Sequence, residues 1–478
     1  METLWRDLRF GLRQLIEEKG FSLAALLTLT LGIGATATIF TVVDAVLLKE
    51  LPYRDPARLV ILQGTFEENG EVSPWPLSQQ DFADWRERST AFSEMSLWGV
   101  RSYNLEQGQQ SQRLSAELVN AGYFSVLGLR PTLGRFISAE EDATPMEHYV
   151  VVLGHGLWQR TFGSDPGIVG KSLQLNGKTY QVIGVGPRGF RGLSDEAELW
   201  MPSMIPPIPA YVTVRTMRWV SGAARLKPGV TLEQAQEQMS NVAAGLSRDF
   251  PESNQGIGAQ VTLLEEFWFG SLRRGLLALL VGAGLLLLIA CINVASLLLT
   301  RAAARRRTWA IRVALGASRG RLIRQLLTES VLLSLIGAAA GLLLARWAVR
   351  ALIRVSGTQF PSFVQVEMNP GVIAAVLGLA VLCGLAFGLA PIWTSFRSSL
   401  TQILGRDEKS EPAGRGLRFF QNSVVIAQVA LALILSISAV LMAQGFRRMV
   451  SQVGPPDDLG PEWPGAPLDP AVPDMTLA

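Results

Sequence analysis

The sequence predicts an α-helical membrane protein with about five transmembrane helices and a mixed α/β extracytoplasmic domain. Three observations predict it. Apolar residues make up 49% of the 478 residues and charged residues only 17%, against about 25% charged in soluble domains. The apolar excess is gathered into long runs rather than spread along the chain. Arginine is concentrated in the short segments that join those runs, whereas acidic residues outnumber basic ones between Lys49 and Glu266.

A membrane helix needs about 20 apolar residues. Residues 1–19 precede the first run and read as a cytoplasmic amphipathic helix carrying Arg6, Arg9, Arg13 and Lys19. The first span is placed at 20–48. Its apolar run is too long for a cleaved signal peptide, and no A-x-A site follows before Asp44. Asp44 is expected at the interface rather than in a buried ion site. Residues 49–270 form the extracytoplasmic domain. The second span covers 275–300, the third 326–348 and the fourth 368–396. The third is the weakest, with Glu329 near its start and Arg346 near its end. A fifth span is placed at 419–446, and the Pro/Gly-rich composition of 447–478 predicts disorder.

Orientation follows from Lys and Arg in short loops. The 301–325 segment holds Arg301, Arg305, Arg306, Arg307, Arg312, Arg319, Arg321 and Arg324 with no acidic residue among them. It is therefore placed in the cytoplasm, with the N-terminus and the 397–418 linker on the same side. Arg350 and Arg354 count mildly against this parity. The chain is expected in the cell inner (plasma) membrane as a multi-pass protein.

Within the domain, 77–88 reads as a helix with Phe82 and Trp85 on one face. Val150–Leu153 reads as a buried strand. Residues 173–182 read as two strands around Asn176-Gly177, a pair suited to a type I′ turn. Thr231 followed by Gln234 has the spacing of a capping box. No catalytic, cofactor-binding or metal-binding residues are expected. There is no nucleophile elbow. His148 and His155 have no cysteine near them, and the two cysteines, Cys291 and Cys383, lie inside apolar runs. The acidic groups at Glu140-Glu141-Asp142, Asp195-Glu196-Ala197-Glu198 and Glu265-Glu266 read as solvated loops. Trp75, Trp85, Trp98, Trp158, Trp200, Trp219 and Trp268 read as core packing, with a ligand surface as the other possibility.

The stretch Asp165–Ser172, DPGIVGKS, ends like a phosphate-binding loop. Such a loop needs G-x-x-x-x-G-K-[ST] between a strand and a helix. Here Asp165 holds the first glycine position and a hairpin follows, so Gly167 and Gly170 read as shaping a turn.

Several stretches carry a family resemblance. The N-terminal WRDLRFGLRQL…GFSLAALLTLTLGIGATATIFTVVDAVLLKELPY resembles the start of MacB/FtsX-type permeases, and more narrowly the long duplicated permeases of acidobacteria. NAGYFSVLGLRPTLGRFISAEED, FGSDPGIVGKSLQLNGKTYQVIGVGPRGF and ARLKPGVTLEQAQEQM resemble the MacB-like periplasmic core domain. RAAARRRTWAIRVALGASRGRLIRQLLTES resembles the cytoplasmic coupling segment. The resemblance covers residues 1 to about 450.

It implies a four-span permease unit that works as a homodimer or pairs with a related permease. It also implies a separate cytoplasmic ABC ATPase and, outside the membrane, a periplasmic adaptor or partner. On this resemblance Arg307, Ile311, Arg312, Leu315, Gly316, Arg319 and Arg321 are the candidate ATPase-coupling residues, with Val313 and Leu322 as further apolar contacts and Gly320 allowing a bend. The same arginines also satisfy a purely topological reading. Gly32, Gly34 and Ala35 are candidates for close packing of the first span, lipid-facing positions being the other reading.

The sequence departs from the family in two places. The coupling pattern R-E-I-x-I-R has Thr308 in the acidic position, which puts the tight ATPase contact in doubt. The fifth span resembles the opening of a second unit, so a truncated or frameshifted half of a duplicated permease is one explanation for this chain, a functional short form being the other. The leading functional expectation is a permease subunit of an efflux or mechanotransmission system. The alternatives are an FtsX-like regulator of a partner such as a cell-wall hydrolase, and a membrane-anchored sensor with no ATPase. No nucleic-acid partner is expected.

Overall fold

The computed structural model describes residues 2–68, 70–107, 110–304, 319–356, 361–364 and 366–397, with positions 426, 428–430 and 444. The chain opens with α1 (Glu2–Glu17) and α2 (Lys19–Val43), and α2 passes into a π-helical turn at Asp44–Leu48. Then follow β1 (Leu59–Glu68), β2 (Glu71–Trp75), α3 (Gln79–Arg88), β3 (Phe92–Gln107) and β4 (Gln110–Val119). Next come α4 (Tyr123–Leu127), β5 (Leu133–Gly134), β6 (Val150–Leu153), α5 (His155–Phe162), β7 (Ser172–Leu175), β8 (Lys178–Val185) and β9 (Leu199–Pro202). The rest is α6 (Ala210–Thr213), β10 (Ser221–Leu226), α7 (Leu232–Asp249), α8 (Pro251–Asn254), β11 (Ile257–Leu263), α9 (Leu264–Ala304), α10 (Arg319–Ser356) and α11 (Pro370–Arg397). No residue separates β11 from α9.

The chain divides into two compact units: Met1–Thr36, Val281–Leu344 and Ala375–Ala478 in one, Ala37–Leu280 and Ala345–Ala374 in the other. The second unit is built on a mixed sheet in the order β11-β1-β10-β3-β4-β9-β6-β8-β5, with β2 beside β1 and β7 joining β3 to β8. The β4–β9 and β6–β8 pairs are parallel and the others antiparallel. Side chains alternate across a strand. In β1, Val60 and Leu62 enter one core cluster while Leu59 and Ile61 enter the other. In β6, Val151 and Leu153 split from Val150 and Val152 in the same way. Both faces of these strands are covered, so they read as unbroken apolar runs rather than alternating ones.

Local signals place the flanking elements. The Ser78 hydroxyl accepts the Asp81 amide at 3.0 Å and starts α3, whose Phe82 and Trp85 enter the core. Thr231 and Gln234 exchange the two hydrogen bonds of a capping box at the start of α7. Asn176 (φ 47°) and Gly177 (φ 71°) make the β7–β8 turn. From α7, the Gln236 amide bonds the Ala259 carbonyl and the Val261 amide of β11, each at 2.8 Å. A sheet edge is a template for unwanted pairing, and this side chain occupies two of its groups.

Among the described residues four helices are long and apolar enough to cross a membrane: Lys19–Leu48, Leu272–Ala302, Ile323–Arg354 and Pro370–Leu389. The expected fifth span lies largely outside the described residues. α10 begins at Arg319, seven residues before the expected third span, so the arginines at its start belong to one continuous helix with that span.

In the first unit small residues set the helix separations. A Cβ on Gly337 would stand 2.8 Å from the Leu29 Cβ, and one on Gly384 would stand 2.7 Å from the Val331 Cα. The Ser334 hydroxyl donates to the Ala380 carbonyl. The Cys291 and Cys383 sulfurs lie 3.6 Å apart on α9 and α11. These are the only two cysteines in the chain, so the packing has a direct test. Treatment with copper–phenanthroline in membranes is expected to join them, seen as loss of maleimide labelling that dithiothreitol restores. Undiminished labelling would contradict the α9–α11 packing.

Candidate transmission sites

Each unit contains a polar cluster that ties membrane helices to another element. In the second unit the cluster begins with Glu117 on β4, which is fully buried. Its Oε2 accepts the Tyr123 hydroxyl at 2.7 Å and the Trp200 indole N–H at 2.9 Å. Its Oε1 accepts the Ser194 amide at 2.7 Å. Burial pushes its pKa up and these donors oppose the shift. Gly192 (φ 80°) passes so close that a Cβ there would stand 2.2 Å from the carboxylate, so only glycine fits. Glu117 thereby holds the 190–194 loop against the sheet.

The next residue, Asp195, faces the connection between α10 and α11. Its carboxylate accepts the Ser362 amide at 2.8 and 2.9 Å and the Ser362 hydroxyl. Phe363 packs among Tyr53, Trp268 and Phe269, with ring centroids at 6.1, 5.5 and 6.4 Å. Asn369 caps α11 by accepting the Val372 amide at 2.8 Å, and it donates to Asp44 at 2.7 Å. One short connection therefore grips the domain loop, the start of α9 and the π-helical turn that ends α2. Asp44 was expected at the interface and is half-buried and paired.

In the first unit Arg301, near the end of α9, lies between two carboxylates. It reaches Glu18 at 2.7 Å, pairs with Glu329 of α10, and stacks over Phe21 with 4.6 Å to the ring centroid. Its side chain is 10% exposed and that of Glu329 7%. Arg301 thus joins the α1–α2 junction to the two helices that flank residues 305–318.

Of the sequence-predicted coupling residues, Arg307, Ile311, Arg312, Leu315 and Gly316 lie outside the described residues. Arg319 and Arg321 are in the first turn of α10, and Arg321 is exposed. Gly32 faces α9, where a Cβ would stand 2.8 Å from the Ala290 Cβ. Gly34 faces α10, where it would stand 3.2 Å from the Gly341 carbonyl. Ala35 is half-buried. Arg301 and Glu329 were not singled out as a site. The available signal was a carboxylate interrupting an apolar run.

Two acidic groups expected to be solvated are only partly so: Glu140 and Glu196 are exposed, whereas Glu141, Asp142, Asp195 and Glu198 are half-buried and partnered. Asp195 grips Ser362, Glu198 pairs with Arg160, and Glu141 forms a two-pronged pair with Arg135 at 2.7 Å. Asp142 accepts the Ser203 hydroxyl at 3.0 Å and the Ala121 amide at 3.3 Å. Within DPGIVGKS, the Asp165 carboxylate accepts the Gly167 amide at 2.8 Å and pairs with Lys171 at 2.6 Å. The lysine thus neutralises a carboxylate of its own turn. Trp85 and Trp200 are fully buried, which favours core packing for those two.

The MacB-like periplasmic core domain matches residues 22–242, and the FtsX-like permease C-terminal domain matches 280–400. The chain belongs to the MacB/FtsX-type ABC permeases. This permease is 28% identical over 310 residues to the macrolide export ATP-binding/permease protein MacB of Neisseria meningitidis, covering 62% of this chain and 44% of that protein. It is 27% identical over 262 residues to the pyoverdine export ATP-binding/permease protein PvdT of Pseudomonas aeruginosa, covering 54% and 36%. The matches thus span less than half the length of these relatives. The crystal structure of the periplasmic region of MacB from Actinobacillus actinomycetemcomitans aligns at 14% identity and a TM-score of 0.34, covering 46% of this chain and 94% of that one.

Two outcomes test these clusters in the permease. Replacing Arg301 with Gln leaves the Glu18 and Glu329 carboxylates without this cation. Breaking a buried pair from one side costs about 3–5 kcal/mol, so a marked fall in melting temperature in detergent is expected, with Arg301→Lys intermediate. An unchanged melting temperature for both would remove the cluster from the account. The second test uses Asp142, whose pKa burial pushes up to about 6. Its folded value lies above that of the unfolded chain, so its contribution to stability is full at about pH 4 and is lost as pH rises through 6. Asp142→Asn is expected to stabilise the protein by about 1–3 kcal/mol at pH 7, with the gain vanishing toward pH 4. An equal gain at both pH values contradicts the assignment.

Proposed function

We propose that this chain is the membrane subunit of an ABC-type efflux or mechanotransmission system, in which ATP hydrolysis by a cytoplasmic ATPase moves the inserted domain. The observation that carries this reading is the α10–α11 connection. Through Ser362, Phe363 and Asn369 it is tied to the domain loop at Asp195, to the start of α9 and to the end of α2. Any shift of α10 or α11 along its axis must therefore be felt by the domain. At the other end of α9 and α10, Arg301 and Glu329 flank residues 305–318, the segment assigned to ATPase contact.

The names of the MacB and PvdT relatives join ATP binding to a permease and to export, which supports an export role. The paired Lys171 and the turn around it support placing ATP hydrolysis on a separate polypeptide. We place the domain in the periplasm and the N-terminus, 301–325 and 397–418 in the cytoplasm of a cell with the inner membrane as host. The working unit is a dimer of this chain or a pair with a related permease, joined outside by an adaptor or partner.

The test is co-purification. Tagged protein extracted in mild detergent is expected to bring down an ABC ATPase and to raise its turnover, and the Arg312→Glu/Arg319→Glu double variant is expected to lose both. If wild-type protein captures no ATPase, the export reading fails. If the double variant captures as much as wild type, the coupling segment is misassigned.

A further inference from the structure

We propose that the cavity at the outer ends of α2 and α9 binds a zwitterionic glycerophospholipid of the surrounding bilayer. The cavity has a volume of about 190 Å³ and is lined by Ala45, Leu51, Pro52, Phe269, Phe363 and Val364, with Lys49 and Glu50 also on its wall. An apolar cavity of about 150 Å³ stays dry and takes up a small hydrocarbon. This one is larger and straddles the limits of two spans, which end at Leu48 and begin at Leu272. Acyl chain is the apolar material at hand there.

Two buried donors adjoin the same wall. The Tyr53 hydroxyl and the Trp268 indole N–H have no hydrogen-bond partner among the described residues, and both rings pack on Phe363. Such groups call for an acceptor, and the ester or phosphate oxygens of a lipid supply one. At the exposed rim the Lys49 ammonium suits a phosphate and the neighbouring Glu50 carboxylate suits a primary ammonium. The π-helical turn at Asp44–Leu48 widens the end of α2 and places Ala45 on the cavity; such turns are frequent at functional sites. The site does not depend on the ATPase reading.

The test uses phosphatidylethanolamine with a diazirine in one acyl chain, delivered to the full chain in phosphatidylglycerol vesicles. After illumination, adducts are expected on residues 45–52, 269 and 363–364. Ala45→Trp, which fills the cavity, is expected to lower them about tenfold relative to adducts on the exposed Leu286 and Leu288. Lys49→Glu, at the exposed rim, is expected to lower them about threefold. Adducts confined to Leu286 and Leu288, or equal yields in wild type and both variants, would overturn the site. Equal labelling by a diazirine alkane without a headgroup would overturn the phospholipid as its occupant.

Discussion

The second unit is organised around a carboxylate with no access to water. A buried charge is tolerated only when its lone pairs are used, and Glu117 uses them on three donors from three places in the sequence: Tyr123, Ser194 and Trp200. Removing the carboxylate would orphan those donors, at about 1–3 kcal/mol each. The consequences reach past the core. Holding Ser194 fixes Asp195, Asp195 fixes Ser362, and Ser362 fixes the connection between two membrane helices. An internal electrostatic requirement thereby becomes a mechanical one.

The first unit meets a different constraint. Lipid tails are as apolar as leucine, so helix association there relies on close packing and a few polar contacts. The Gly34–Gly341 approach, the Gly384–Val331 approach and the Ser334–Ala380 hydrogen bond are contacts of that kind. Arg301 is the exception. It carries a full charge near the end of a span and is stabilised there by two carboxylates and an aromatic face.

What could be read from the sequence was local. Val150–Leu153, the Asn176-Gly177 turn, the Thr231–Gln234 cap and the long apolar runs are decided by neighbours within a few residues. What could not be read depends on distant partners. In β4 the order Leu114, Ser115, Ala116, Glu117, Leu118 looks like a strand with one wet face, and Glu117 looks solvated. It is buried because the sheet is covered on both sides, which alternation in one strand cannot report. Asp142 and Asp195 look like loop acids, and their partners Ser203 and Ser362 lie 61 and 167 residues away. Arg301 is one arginine in a basic run until α2, α9 and α10 are packed together. Glu329, which weakened the third span as a sequence, is one of the two carboxylates that pair with it.

The direct join of β11 to α9 links two periodicities. Leu263 ends a strand of period two and Leu264 begins a helix of about 3.6 residues per turn. No loop absorbs a change of length between them. One residue added or removed there would rotate Phe267, Trp268 and Phe269 by about 100° around the helix axis, away from Phe363. At this junction a substitution alters one contact, whereas an insertion or deletion re-aims three aromatic side chains at once. The length of chain across the junction therefore constrains the packing more tightly than the identity of any one residue in it.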